Sequence, residues 1–530
     1  MIKFRSIIFS LILLIPTITF SQLDLPTYKF GRVLSLANSY YVDSVNTDKL
    51  VETAIVAMLK ELDPHSVYIS KEEVARMNEP LEGSFDGVGV QFNILEDTLL
   101  VVNPIPGGPS EKLGIRAGDR IIYINDTLVA GIGLKNSDVV KKLRGKKGTI
   151  VTVKILRKGV KELLEFPITR DKIPIYSLDA SYMIDDEIGY IKLNRFAATS
   201  MDEFFKAFTK LKEQGLKSLI IDLRGNGGGY LRTAVNLADQ FLTENKMIVY
   251  TEGLHNPRYE EKATKNGVFL DGKLVVLVNE GSASASEIVS GAIQDQDRGI
   301  IIGRRTFGKG LVQRPYMLPD NSMIRLTVAH YYNPSGRCIQ KSYAKGEKDY
   351  AEDLIRRYNN GELTNADSIH FPDSLKHETL KFKRTVYGGG GIMPDIFIPI
   401  DTNRVSDFYA RLVRKGIIYQ FTLNYMDDNR AELEKKYPDF KTFNKTFEVS
   451  NEMLTELYQR AEKEKIEFTY KDKEKSLKDN TQLIKALIAR DLWDMSEYFQ
   501  VVNPESKAYN TAIEVLRDSK RYNNVFKKRK

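Results

Sequence analysis

The 530-residue chain is 42% hydrophobic and 28% charged, which excludes a disordered or fibrous protein; at about 150 residues per domain it should divide into roughly three to four units. A single cysteine, Cys338, excludes an intramolecular disulfide framework and any thiolate metal cluster. Lys and Arg exceed Asp and Glu by 78 to 70, and the net charge of +8 would point to nucleic acid or an anionic membrane only if it formed a patch.

Lys3 and Arg5 precede an apolar run over residues 7–20 that contains Pro16 and ends in Thr19-Phe20-Ser21 before Gln22. A basic start, a short apolar centre and small residues three and one positions before a cut read as a signal peptide over residues 1–21, since a spanning helix needs about 20 apolar residues. The mature protein is therefore expected outside the cytoplasmic membrane, for example in a periplasm. From 22 to 82, Val51, Ala54, Ile55, Met58, Leu59 and Leu62 recur at helical spacing and predict a helical domain, its helix closed where Pro64 follows Asp63.

Residues 83–170 switch to short β-like runs at 88–92, 99–102, 120–124 and 150–155, with a helical stretch at 137–143. Over 171–400, strands at 188–193, 219–223 and 274–278 alternate with helices at 201–211 and 230–242, which predicts an α/β core with substantial parallel pairing. Beyond residue 400 only one of the 36 glycines, Gly416, remains, and charged helical stretches dominate. One helix is expected at 481–499, and another from Asn503-Pro504-Glu505, with Asn as cap and Pro at the first helical position. No repeat of 20 to 50 residues and no low-complexity tract is visible.

In the second segment, Gly87-Val88-Gly89-Val90 leads into a strand, and its amides can form a nest for a carboxylate. Downstream stand Pro106-Gly107-Gly108-Pro109-Ser110 and Gly114-Ile115-Arg116-Ala117-Gly118-Asp119. Together these resemble a PDZ domain. The resemblance implies that a substrate's chain end adds a strand beside residues 88–92, opposite the helix 137–143. Val88, Val90, Val140 and Leu143 would then favour apolar terminal side chains.

The third segment carries the chemistry. The apolar run 274–278 delivers Gly281-Ser282-Ala283-Ser284-Ala285-Ser286-Glu287 just before helical spacing resumes. A serine at a strand-to-helix turn meets unpaired helix amides and a dipole that favours developing negative charge, which suits an acyl-transfer nucleophile. Ser284 with Glu287 also fits a capping box, and spacing alone leaves Ser282, Ser284 and Ser286 equally open. The five histidines, His65, His255, His330, His370 and His377, are scattered and are expected to be solvated or loosely packed. The base candidate is Lys309, flanked by glycines in Thr306-Phe307-Gly308-Lys309-Gly310, with Gln313 four residues on as the acceptor that directs its amine. A lysine base must lose about three units from its ordinary pKa of about 10.4, which burial can supply.

Further stretches accompany these in order: Leu62-Asp63-Pro64-His65-Ser66, Asp222-Leu223-Arg224-Gly225-Asn226-Gly227-Gly228-Gly229, Gln294-Asp295, Tyr331-Tyr332-Asn333-Pro334-Ser335-Gly336-Arg337 and Gly389-Gly390-Gly391-Ile392-Met393-Pro394-Asp395. Over roughly residues 28–400 the chain resembles the carboxyl-terminal processing peptidases, or tail-specific proteases. The resemblance implies a multidomain α/β protein with a crotonase-like protease core at 171–400, between the PDZ domain at 83–170 and a helical extension at 401–530. It further implies peptide hydrolysis by a Ser-Lys dyad, with Ser284 as nucleophile, Lys309 as general base and Gln313 orienting Lys309. The oxyanion would be held by the amide of Ala285 and one from the turn 227–229, Gly227 and Gly228 being the candidates. Arg170, in the linker 169–173, would serve as a hinge across which a docked substrate reorients the PDZ module.

Two features depart from the family pattern: Cys338 stands where serine is common, and residues 341–384 form a polar insertion of unread role. No cofactor and no metal is expected. The partners expected are proteins or peptides with accessible, mostly apolar carboxyl ends. Nucleic acid is not among them: losing Lys3 and Arg5 leaves +6, and five basic groups (Arg521, Lys527, Lys528, Arg529 and Lys530) crowd the final ten residues. Peripheral membrane contact through that tail and self-association stay open. The competing readings are an inactive PDZ scaffold and a crotonase-like acyl-CoA enzyme. Intact Ser284, Lys309 and Gln313 disfavour the first, and export disfavours the second.

Overall fold

The computed structural model describes residues 24–401 and 406–527, so the expected signal peptide and the last three residues of the basic tail lie outside the described residues. The chain divides after Leu62 into two compact units. The first carries helices Leu25–Tyr40 and Thr47–Lys60, the second capped by Asn46, whose side chain accepts the Lys49 amide at 3.0 Å.

The sequence predicts a helical domain to residue 82, but residues 63–82 belong to the larger unit. The Asp63 carboxylate accepts the amides of His65 and Ser66 and the Ser66 hydroxyl, a local cap that turns the chain out of helix. The Ser66 hydroxyl then takes the Thr327 amide at 3.1 Å. Val67–Ile69 pairs antiparallel with Met323–Tyr332 before the helix Lys71–Glu82 begins.

The module at 84–170 is a sheet with strand order Val90–Leu95, Thr98–Pro104, Arg120–Ile124, Ile150–Leu156, Leu164–Thr169, crossed by the helix Asn136–Leu143. Val90–Leu95 is the edge strand, two residues later than the sequence places it, and among the described residues its outer side has no partner strand in the sheet. Both crossings to the core run together, Ser84–Gly87 pairing antiparallel with Asp171–Pro174.

The core is a six-stranded sheet in the order Leu178–Met183, Ile188–Leu193, Ser218–Asp222, Lys273–Val278, Ile300–Gly303, Ile396–Phe397, parallel except for its first pair. Its strands are apolar on both faces, as parallel strands buried on both sides must be. One face packs against the helices Ser200–Glu213, Leu231–Asp239 and Ala285–Asp295. Ala508, Tyr509, Ala512, Val515 and Leu516 of the helix Lys507–Arg517 cover the other. The final helices therefore complete the core. Residues 408–502 form a separate helical cluster around Phe408, Phe421, Phe443 and Ile484. It touches the PDZ module through Arg120 and Asp427, 2.6 Å apart.

The helix expected from Asn503 begins instead at Lys507, where the Ser506 hydroxyl accepts the Tyr509 amide. Asn503 is drawn inward: its amide donates to the Tyr182 hydroxyl at 2.9 Å and its carbonyl accepts from Arg224. The other predicted helix lies within Tyr470–Leu492 and Met495–Val502, broken at Trp493.

Candidate active site

Lys273–Val278 and Ser218–Asp222 are parallel neighbours, so the turns that follow them emerge at the same sheet edge, where open α/β sheets place their sites. The glycine turn is anchored by Asp222, fully buried, which accepts from Arg224 at 2.5 Å and from the Tyr190 hydroxyl at 2.6 Å. Burial pushes that carboxyl upward, but the Arg224 guanidinium and Lys192 ammonium override it and hold the pKa at about 2.

The three serines of the other turn separate by their bonds. Ser282 and Ser286 are fully buried, their hydroxyls donating to the carbonyls of Leu223 and Asn226 at 2.8 Å each. Ser284 is half-buried and has φ 55 and ψ −113, a strained conformation for a non-glycine residue, at the strand-to-helix turn. Its carbonyl accepts from the Tyr331 hydroxyl at 3.1 Å and from the Glu287 amide at 2.8 Å, and its amide donates to the Glu287 carboxylate at 2.8 Å. Of the three serines left open by spacing, two have hydroxyls bound to the neighbouring turn, and Ser284 with Glu287 forms the capping box that the sequence also allows.

The lysine loop joins Ile300–Gly303 to Leu311–Met317. Glu287, fully buried, binds it from below: Oε1 accepts the Thr306 hydroxyl at 2.5 Å and the Gly308 amide at 2.7 Å, and Oε2 accepts the Lys309 amide at 2.9 Å. Burial raises the Glu287 pKa, and the donors around it partly oppose that rise. The Lys309 amine donates to Gln313 Oε1 at 2.8 Å. Burial, reinforced by the Arg325 charge and opposed by Asp63 and Glu287, brings its pKa down to about 8. A register shift between Val312 and Gln313 aims the glutamine at the amine.

The expected oxyanion donors separate. Ala285 is the first residue of the helix Ala285–Asp295, so its amide has no carbonyl of that helix four residues behind it. Gly228 donates its amide to Asn226 Oδ1 at 2.9 Å, so it is not a free donor in this conformation, and Gly227 is exposed. Gly228 serves by its lack of a side chain: a Cβ there would stand 2.9 Å from that of Ser284, at φ +107.

His65 departs from the expectation that the histidines are solvated or loosely packed. Its carbonyl accepts the Gln313 amide at 2.5 Å, and its ring Nε2 lies 2.8 Å from the Tyr350 hydroxyl. Burial and the nearby Lys309 charge push it down to about 4, against Asp63. The stretch Leu62-Asp63-Pro64-His65-Ser66 carries the signal, through its helix-ending chemistry and its place among the family-like motifs, but neither assigns the ring a partner.

In the PDZ module, Gly89 has φ +73, and the Val88 carbonyl accepts the amide and hydroxyl of Ser110. Gly87 ends the strand that pairs with the linker, opposite Asp171. Val88 and Leu143 are buried in the module's core, as is Val139, whereas Val90 and Val140 are half-buried; only the latter pair keep partial access. Arg170 is 9% exposed and donates to the carbonyls of Lys142 and Leu143 and to the Thr149 hydroxyl, fastening the end of the helix Asn136–Leu143 to the linker.

The chain matches Peptidase family S41 over residues 187–349, a PDZ domain over 87–168 and the Activating protease CtpB N-terminal domain over 20–73. Residues 408–494 match a family of unknown function, DUF8443. A carboxy-terminal-processing protease of Bartonella bacilliformis is 38% identical over 340 residues, 62% of this chain and 77% of that protein. The carboxy-terminal processing protease CtpB of Bacillus subtilis is 30% identical over 452 residues, covering 84% and 87%. Among solved structures, a photosystem II D1 C-terminal processing protease is 31% identical, covering 59% of this chain and 89% of that one, with a TM-score of 0.34.

Proposed function

The chain belongs to the carboxy-terminal processing proteases, PDZ-bearing serine endopeptidases of family S41, and from that membership we propose a specific course of action. The protein is exported, captures the carboxyl end of a protein substrate on its PDZ module, and cuts with Ser284 as nucleophile and Lys309 as general base. The observation that carries this reading is the Glu287 carboxylate, which binds the backbone of the serine turn and of the lysine loop at once.

With a pKa of about 8, roughly one Lys309 amine in ten is neutral at pH 7. Ser284 Oγ passes its proton to that amine as it attacks the scissile carbonyl carbon. The oxyanion meets the Ala285 amide and one from the glycine turn, each contributing about 3 kcal/mol. Lys309 then protonates the departing amine, and water, deprotonated by Lys309, releases the acyl group from Ser284. The unpaired outer side of Val90–Leu95 and the partial access of Val90 and Val140 support capture of an extended, apolar chain end. A docked chain end moving the PDZ module across Arg170 belongs to the same proposal. Residues 1–21 support export.

The test is incubation of the mature protein with an unstructured polypeptide. Ser284→Ala and Lys309→Ala should each lose about a thousandfold or more in kcat; cleavage persisting in both refutes the dyad. Peptide binding to the PDZ module should be lost when the peptide's carboxylate is amidated. Amino-terminal sequencing of protein recovered outside the cytoplasmic membrane should begin at Gln22.

A further inference from the structure

Gln313 can aim the Lys309 amine only as firmly as it is itself held. Its amide nitrogen donates to the His65 carbonyl at 2.5 Å, and its oxygen accepts from Lys309 Nζ at 2.8 Å. Because one end of a carboxamide only donates and the other only accepts, the His65 carbonyl dictates which end faces the lysine. His65 is held in turn by its ring, 2.8 Å from the Tyr350 hydroxyl, with the two rings edge to face.

Tyr350 is 5% exposed and lies in the helix Glu347–Ala351, inside the insertion 341–384. That insertion also grips the lysine loop. Arg357 donates to the carbonyls of Thr306 and Phe307 at 2.7 and 3.1 Å, and the Lys341 ammonium sits 3.9 Å from the Phe307 ring and 4.1 Å from the Tyr350 ring. The loop is thus bound by Glu287 from the core side and by the insertion from the other.

The geometry points to Tyr350 as a positioning residue of the proteolytic reaction, acting through His65 and Gln313 on the aim of the Lys309 amine. The inference rests on the Ser284 and Lys309 reading above. Its reach is the base, because the bonds run from Tyr350 through His65 and Gln313 to the Lys309 amine; the effect belongs in kcat rather than in KM. The charged groups facing Lys309 are Asp63, Glu287, Arg325 and the His65 ring, and those facing His65 are Lys309, Asp63 and Lys341.

The experiment compares the full mature chain with Tyr350→Phe, Gln313→Ala and the double variant on an unstructured polypeptide. Tyr350→Phe keeps the ring packing and loses the hydroxyl. Its kcat should fall about tenfold with KM within about twofold, and the double variant should be no slower than Gln313→Ala alone, as for residues acting in one chain. An unchanged kcat in Tyr350→Phe, or losses that multiply in the double variant, would overturn the assignment. Full activity in Ser284→Ala and Lys309→Ala would instead refute the dyad, whereas inactive dyad variants beside a normal Tyr350→Phe would remove only the role of Tyr350.

Discussion

Glu287 Oε2 accepts the main-chain amide of Lys309 at 2.9 Å and, on the same atom, that of Ser284 at 2.8 Å. A single buried carboxylate thereby sets the spacing of two segments from different turns of the chain. Its other oxygen takes the Thr306 hydroxyl and the Gly308 amide, so all four partners are donors.

Glu287→Gln places an NH2 group against some of those donors in either amide orientation. Each buried donor left unmatched costs about 1–3 kcal/mol. The variant should unfold at lower denaturant, and the folded fraction should lose kcat by about a hundredfold, as expected for a displaced nucleophile and base. A normal kcat in folded Glu287→Gln would show that the shared carboxylate does not set the site.

The pH dependence of cleavage should follow Lys309. With its pKa lowered to about 8, kcat/KM should rise with pH through about 8 and level off above it. The Arg325 charge contributes to that lowering, so Arg325→Gln should move the midpoint to higher pH. A profile flat from pH 6 to 9 would speak against a lysine base.

Stability should fall in acid through His65. Its pKa is about 4 in the folded protein and 6.5 when free, so between these values the unfolded chain binds more protons. Folding stability therefore rises with pH across that window and is lost as pH drops from about 6.5 to about 4. For a half-buried ring the contribution is about 1–2 kcal/mol. Denaturant melts of the parent and His65→Gln at pH 7 and pH 4.5 should show a smaller acid loss in the variant.

Gly228→Ala tests the close approach at the nucleophile. The added Cβ would lie 2.9 Å from Ser284 Cβ and 3.0 Å from the Ala283 carbonyl oxygen, on a backbone at φ +107. One of the two turns must shift, and a displacement near 1 Å at reacting atoms lowers the rate by about a hundredfold. Steady-state kinetics should show the loss in kcat, with affinity of the isolated terminal peptide for the PDZ module unchanged.

Local chemistry was legible along the chain wherever a short stretch sufficed. Strand Ile188–Leu193 and the parallel alternation follow from periodicity, and the edge of Lys273–Val278 followed by a serine turn follows from an apolar run meeting small residues. The PDZ glycine loop is legible in its turn residues, but which of the apolar residues Val88, Val90, Val140 and Leu143 face the core is not, because Val88 and Leu143 are buried by strands far along the sheet. The start at Asn503 misled for a similar reason. Its cap chemistry is sound locally, yet a buried bond to Tyr182, 321 residues away, claims the side chain.

By itself the sequence determined the protein's class and its chemical vocabulary: a glycine loop leading into a PDZ strand, a serine at a helix start, and a lysine between glycines, each encoded in consecutive residues. The tertiary structure alone decided which serine is available, since Ser282 and Ser286 lose their hydroxyls to carbonyls about 60 residues away. It also brought His65 to Tyr350 across 285 residues, and folded the last helices onto the core sheet. Periodicity and turn propensity act over a few residues, whereas desolvation and hydrogen-bond competition depend on which distant groups the packed chain brings together.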